Sequence, residues 1–185
     1  MVSFMERSAL GGYSHQSEGL SVTELTGFEL VSIAVAKGSE TNFKKQFNKV
    51  HKSNPPDPNQ ALPVEGGSVI WTGQNQFLVF LGTSDIYADV KLGKTLGDSA
   101  YPVLQSDGWA CLRLEGDQFY SVMERFIPLD LRRAPEDFAA RTQAHHISVI
   151  VVKQPDGSWL LLTPRSTAQS FLEALTHVMA NVLRG

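Results

Sequence analysis

The chain is poor in cysteine, in charge and in long apolar runs, and each shortage removes a class of function. Cys111 is the one cysteine in 185 residues, which excludes an internal disulfide and any zinc site built on cysteine pairs. Asp, Glu, Lys and Arg together make up 19% of the chain, against roughly 25% in an average soluble domain. The formal net charge is −3, from 16 basic and 19 acidic residues, with no cluster of Lys and Arg. That balance offers no electrostatic footprint for nucleic acid or an anionic membrane. The N-terminus lacks a basic flank followed by an apolar stretch, so nothing reads as a secretory signal. The longest uncharged run, 66–84, carries Ser68, Thr72, Gln74, Asn75 and Gln76 in its middle and is too polar to span a bilayer. A soluble, cytoplasmic protein is expected. The charge shortfall, roughly eleven residues against the usual share, arises either by chance or because another chain covers part of the surface, since interface cores are depleted in charge. Composition leaves both open.

What is present is alternation and helical periodicity. Residues 1–26 are rich in Ser and Gly without an apolar period and read as a flexible or partner-docked arm. From Phe28 to Ala36, Val31, Ile33 and Val35 alternate with smaller residues as in a strand. Gly38 and Ser39 then lead into a helix with Phe43, Phe47 and Val50 on one face, stopped before Asn54-Pro55-Pro56-Asp57-Pro58. Runs at 68–71 and 76–81 flank the turn Thr72-Gly73-Gln74-Asn75 and predict a hairpin. Ser84 and Asp85 can cap a helix with Ile86, Val90 and Leu96 inward, and 102–105 is a short strand. The order β-α-β-β-α-β is ferredoxin-like.

The pattern then restarts. Residues 110–114 alternate as a strand, and a helix follows with Phe119, Val122, Met123 and Phe126 on one face. One long strand is expected over 143–153, turning at Gln154-Pro155-Asp156-Gly157 into Trp159-Leu160-Leu161-Leu162. A capping box from Ser166 to Gln169 opens a last helix with Phe171, Leu175, Val178, Met179 and Val182 inward. The fold class is therefore α+β, with two ferredoxin-like halves, 27–106 and 107–185, behind the 1–26 arm.

Catalytic groupings are hard to find. There is no Gly-rich phosphate loop, no Walker-type Lys and no Gly-x-Ser-x-Gly elbow. His145 and His146, adjacent on the expected strand, point to opposite faces and cannot ligate one ion together. Cys111 sits among Leu112 and Leu114 as a small core hydrophobe. Asp107, in Gln105-Ser106-Asp107-Gly108, is first a turn residue and second a candidate to hold a ligand amine. Trp71, Trp109 and Trp159 read as core packing, and Arg141 and Arg165 as partners of Asp130 or a neighbouring carboxylate. No residue is assigned a catalytic role, and none a metal.

A set of segments, in order and at consistent spacing, resembles a known family. They are Leu62-Pro63, Trp71-Thr72-Gly73-Gln74-Asn75-Gln76, Gln105-Ser106-Asp107-Gly108, Pro128-Leu129-Asp130-Leu131, Arg141-Thr142-Gln143-Ala144-His145 and Pro164-Arg165-Ser166. Together they are similar to the gamma subunit of heterotetrameric sarcosine oxidase, a small relative of the folate-binding aminomethyltransferase (T-protein) of the glycine cleavage system. The resemblance runs from about Phe28 to the end and implies two ferredoxin-like halves. It implies work by membership of a complex with alpha, beta and delta subunits, which oxidatively demethylates sarcosine to glycine and yields hydrogen peroxide. The one-carbon unit leaves as formaldehyde or as methylenetetrahydrofolate. FAD, FMN, NAD, zinc and tetrahydrofolate are implied for the partner chains, and no cofactor for this one. Trp71, Gly73, Pro128, Asp130 and Arg165 stand as docking or fold-defining positions.

Two departures bear on the substrate. Phe126-Ile127 precede the Pro-Leu-Asp-Leu stretch where the family often has a small residue or Cys, and the 54–59 loop is unusually Pro-rich. Alternatives are a subunit of a related N-methylamine oxidase, a free-standing folate-binding aminomethyltransferase-like protein, in which Asp107 is the ligand candidate, and a module that dimerises through a sheet edge. A subunit is expected to show, when isolated, a weakly charged and partly apolar face larger than the few hundred Å² usual for a monomer.

Overall fold

A computed structural model describes residues 7–17, 19–83 and 85–183. In chain order these form β1 (Ser14–Ser17), β2 (Leu20–Leu25), β3 (Glu29–Val35), α1 (Glu40–His51), β4 (Ala61–Val64), β5 (Gly67–Gly73), β6 (Gln76–Leu81) and α2 (Ala88–Leu96). There follow β7 (Ala100–Leu104), β8 (Trp109–Glu115), α3 (Phe119–Phe126), β9 (Ala139–Ala144), β10 (Ile147–Lys153), β11 (Trp159–Pro164) and α4 (Ala168–Val182). The chain divides into two units. One holds 27–106 and 135–141; the other holds the described residues up to 26, 107–134 and 142 onward.

In the unit built on 27–106 the sheet order is β4-β5-β6-β3-β7. Leaving out the short β4, the first strand of the unit, β3, lies between the third and the last, which is the ferredoxin-like arrangement. Phe43 and Phe47 of α1 and Ala88 and Leu96 of α2 pack on Val31, Ile33, Val69, Phe77 and Val79. Phe43 and Phe77 stack with ring centroids 5.4 Å apart. The expected inward face of α2 is corrected. Ala88 and Leu96 are buried and Leu92 packs against the core, whereas Ile86 and Val90 are 64% and 49% exposed. The i, i+4, i+8 row through the small Ala88 lets the helix lie close, and Val90 then falls on the opposite side. Val50 also turns outward, one residue before the helix ends at a left-handed Lys52. Asp85 accepts the Tyr87 N–H at 3.2 Å, while Ser84 lies outside the described residues.

Both edge strands of this sheet carry a proline. Gln105 N–H to Leu30 O and Ala36 N–H to Ser99 O fix which residues of β7 bond to β3, and Pro102 falls between them with its nitrogen facing away. On β4, Trp71 N–H to Gln60 O fixes the same alternation, and Pro63 likewise turns its nitrogen outward. The 135–141 segment runs beside β4, with Ala61 N–H donating to Asp137 O and Ala139 N–H to Asn59 O. The second half expected as 107–185 is therefore interrupted by a stretch that belongs with the other unit.

The other unit has sheet order β1-β2-β8-β11-β10-β9. Here the reading of residues 1–26 as a flexible or partner-docked arm is corrected over the described residues 7–17 and 19–26. β1 and β2 form a hairpin, and β2 pairs antiparallel with β8 along Ser21–Leu25. Leu20, Val22 and Glu24 alternate inward. The order β2-β8-β11-β10 repeats that of β7-β3-β6-β5, so β2 holds beside β8 the place that β7 holds beside β3. Phe119, Val122, Met123 and Phe126 of α3 and Phe171, Leu175, Val178 and Met179 of α4 are buried, as their spacing predicts. Phe119 stacks on Trp159 at 5.0 Å.

Two local expectations in this unit fail. His145 and His146 are not on a strand: both have positive φ, 47° and 69°, and they form the two-residue turn between β9 and β10. Such a turn matches the right-handed twist of the flanking strands, and the apolar alternation resumes on its far side. The Ser166–Gln169 capping box does not form either. Residues Arg165–Thr167 make a 3₁₀ turn, the cap position falls to Thr167, and its hydroxyl donates back to Pro164 O.

At Gly67 an added Cβ would stand 1.8 Å from the Phe80 carbonyl oxygen, backbone that cannot step aside. Gly67→Ala is expected to lower stability by about 2–4 kcal/mol. Urea denaturation followed by circular dichroism checks this, and an unchanged midpoint would contradict the register of β5 on β6.

Candidate functional site

The residues singled out from sequence are divided between the two units, Trp71 and Gly73 in one and Asp107, Pro128, Asp130 and Arg165 in the other. Asp107 is exposed on the 3₁₀ turn Ser106–Gly108. Pro128 and Asp130 are exposed, and Asp130 pairs with Arg133 at 3.5 Å. Arg165 donates to the Arg7 carbonyl rather than to a carboxylate. Trp71 and Gly73 bracket a bulge where β5 meets the β5–β6 turn, and Trp71 is half-buried. Among the described residues no group of three or more His, Cys, Asp and Glu could hold a metal ion, and no helix is long and apolar enough to cross a membrane.

Two buried carboxylates went unnoticed in the sequence, and each organises a segment. Glu24 on β2 accepts from Ser8 Oγ at 2.9 Å, Leu10 N at 2.8 Å and Gly12 N at 2.7 Å. One side chain thus satisfies the donors of the loop before β1. Glu29, at the start of β3, accepts the Ser106 hydroxyl, while Ser106 Oγ takes the Leu30 N–H at 3.0 Å. The Gln105–Gly108 segment therefore works through Ser106, which ties the end of β7 to β3, and not through Asp107. The clue in each case was a lone Glu at a position where strand alternation calls for an apolar residue.

Cys111 is fully buried on β8. Desolvation, with the nearby Glu24 charge adding to it, pushes the thiol far above its ordinary range. A thiol so placed has almost no nucleophilic thiolate at neutral pH.

The surface feature that stands out is apolar. Ile86, Tyr87 and Val90 lie outward at the start of α2, and Tyr101 and Val103 lie outward on β7. Tyr101 is 64% exposed and Tyr87 62%, unusual for rings of that size. α2 covers the face of β7 that carries Pro102, with a Cβ on Gly93 falling 3.5 Å from Pro102 Cγ, so Tyr101 and Val103 lie on the opposite face of the sheet from α2.

No family model matches the chain, and no curated protein matches it. Solved structures do. A chain of "Heterotetrameric Sarcosine Oxidase from Corynebacterium sp. U-96 in complex with pyrrole 2-carboxylate" superimposes with TM-score 0.76 at 20% identity, covering 88% of this chain and 85% of that one. The likeness is one of fold. The glycine cleavage system aminomethyltransferase T from Bartonella henselae gives TM-score 0.65 at 12% identity over 85% of this chain. This chain spans 45% of that protein's length. The aminomethyltransferase-like fold of two ferredoxin-like units, expected from the element order, is what the chain adopts.

Two measurements follow from the buried groups. Glu24→Ala is expected to cost about 1–3 kcal/mol by leaving part-buried donors unpaired. It should speed hydrogen exchange at 8–12 while β8 amides keep their protection. For Cys111, whose folded-state pKa is raised, the stability contribution is complete below the ordinary thiol value of 9.0 and declines as pH rises beyond it. Iodoacetamide at pH 8 should leave the native thiol unmodified and label it only in denaturant. Rapid labelling of the folded chain would contradict the placement.

Proposed function

We propose that this chain is a non-catalytic, gamma-type subunit of a cytoplasmic, heterotetrameric sarcosine-oxidase-like flavoenzyme. The observation that carries the reading is coverage. The likeness to a chain of heterotetrameric sarcosine oxidase takes in 88% of this chain and 85% of the other, so it extends over most of both sequences. The exposed side chains of α2 and β7 support it, since apolar rings of this size left in water are what a partner surface covers.

In this reading the alpha, beta and delta subunits carry FAD, FMN, NAD, zinc and tetrahydrofolate and perform the oxidative demethylation of sarcosine. The present chain contributes surface. The reading of this chain as non-catalytic is supported by what its buried reactive groups are doing: Cys111 is a buried neutral thiol, and Glu24 and Glu29 are engaged in holding backbone and a hydroxyl. A free-standing folate-binding protein is the second reading, favoured by the likeness to aminomethyltransferase T.

Co-expression with candidate alpha, beta and delta chains, followed by affinity purification of this chain, is the direct test. Co-elution of a flavin-containing complex is expected, and Ile86→Asp with Val90→Asp should reduce recovery of the partners at least tenfold without unfolding the chain. A stable monomer with no affinity for the three chains would overturn the reading. Heat on titrating the isolated chain with a reduced folate would favour the second.

A further inference from the structure

A cleft of about 380 Å³ opens between the first turn of α1, the proline-rich loop 54–58 and the tip of the β5–β6 hairpin. Its floor is aromatic: Phe43 and Phe77 stack beneath it, and the half-buried Trp71 lies beside them. One wall is Pro55, Pro56 and Pro58, whose backbone has little freedom left to lose when a ligand enters. Phe43 and Phe77 also pack the core of the sheet, whereas the proline wall takes no part in it.

The polar groups in the cleft are of both signs and are not used up. Glu40 accepts from Asn75 Nδ2 at 3.2 Å through Oε1, which fixes the carboxylate and leaves Oε2 without a partner among the described residues. Lys44, one turn along on the same face of α1, has no carboxylate partner among the described residues and does not pair with Glu40. The i, i+4 spacing places their Cβ atoms about 5–6 Å apart. The Trp71 indole N–H donates to no described residue. Asp57 adds a second carboxylate at the exposed rim. Two carboxylates against one ammonium disfavour a simple anion such as phosphate. A small cation alone would leave Lys44 and the indole N–H without use. A zwitterion answers all three: an ammonium for Glu40, and an adjacent carboxylate for Lys44 and the Trp71 N–H.

We infer that this cleft binds a free α-amino acid with an apolar side chain. Its ammonium meets Glu40, its carboxylate meets Lys44 and the Trp71 N–H, and its side chain lies on the aromatic floor. The volume suits a ligand with a branched or aromatic side chain, since small-molecule sites begin at about 300 Å³. The inference does not depend on the subunit reading, because every group named belongs to this chain and to one of its units.

The test is titration of the full-length chain with L-phenylalanine, following the indole ¹H–¹⁵N resonance of Trp71, assigned through Trp71→Phe. A saturable shift is expected. Phenethylamine, which lacks the carboxylate, and hydrocinnamate, which lacks the ammonium, should each bind at least tenfold more weakly. Glu40→Gln and Lys44→Met should each weaken phenylalanine binding at least tenfold while leaving the other two indole resonances in place, which shows the fold intact. No movement of the Trp71 resonance up to about 10 mM, far beyond micromolar affinity, would overturn the inference. So would equal affinity for phenethylamine.

Discussion

The pairing of β2 with β8 is the contact on which the C-terminal unit depends. Without it, β8 would be an edge strand exposing the backbone groups beside Cys111 and Leu114, in a strand buried on both faces over residues 110–112. Such an edge is an open template for pairing with another chain. The strand that closes it comes from the other end of the sequence and is itself steadied by Glu24, whose carboxylate gathers the loop of residues 8–12. The two ends of the chain thus meet in one sheet. The ferredoxin-like repeat is complete in space although it is incomplete in sequence order.

The scarcity of charge reads differently once the fold is known. Glu24 and Glu29 are buried on strands, so the already small number of charges is partly drawn inward. On the surface, Ile86 just before α2 and Val90 on its outward side are apolar and exposed, beside Lys91 and Lys94. Several charges that remain are matched locally, as in Arg113 with Asp156 at 2.7 Å and Lys91 with Asp85 at 2.6 Å. Exposed pairs of this kind contribute little stability, and they cancel long-range fields instead.

Much of this architecture was legible from periodicity. Phe119, Val122, Met123 and Phe126, or Val31 and Ile33, sit at spacings that admit one reading, because a helix or strand must bury an apolar row. The turn at Asp156 was equally plain: its carboxylate accepts the Ser158 N–H at 3.0 Å and hydroxyl at 2.6 Å, the local bonding that makes Asp a turn residue. The failures have a common physical cause. β2 was hidden because its buried row includes a Glu, satisfied only by a loop whose course sequence does not reveal. The His145–His146 turn was hidden because left-handed conformations are usually announced by Gly or Asn. Ile86 and Val90 misled because residue type, without the partner helix row, does not distinguish inside from outside. The cleft groups escaped for a similar reason. Glu40 and Lys44 look like an ordinary helical pair until Trp71 and the proline loop are placed beside them.

The outward nitrogens of Pro63 and Pro102 have a consequence for how this protein recognises anything. An edge strand with a free N–H at each alternate position will zip to almost any extended chain, because backbone is common to all sequences. Here Pro102 removes the central rung of that ladder on β7, and on β4 Pro63 removes one rung while the 135–141 segment takes another at Ala61. A neighbour gains little by lying alongside as another strand and must instead fit the shape and chemistry of side chains. The five-stranded sheet is thereby made deaf to generic partners, and discrimination passes to the surfaces that flank it.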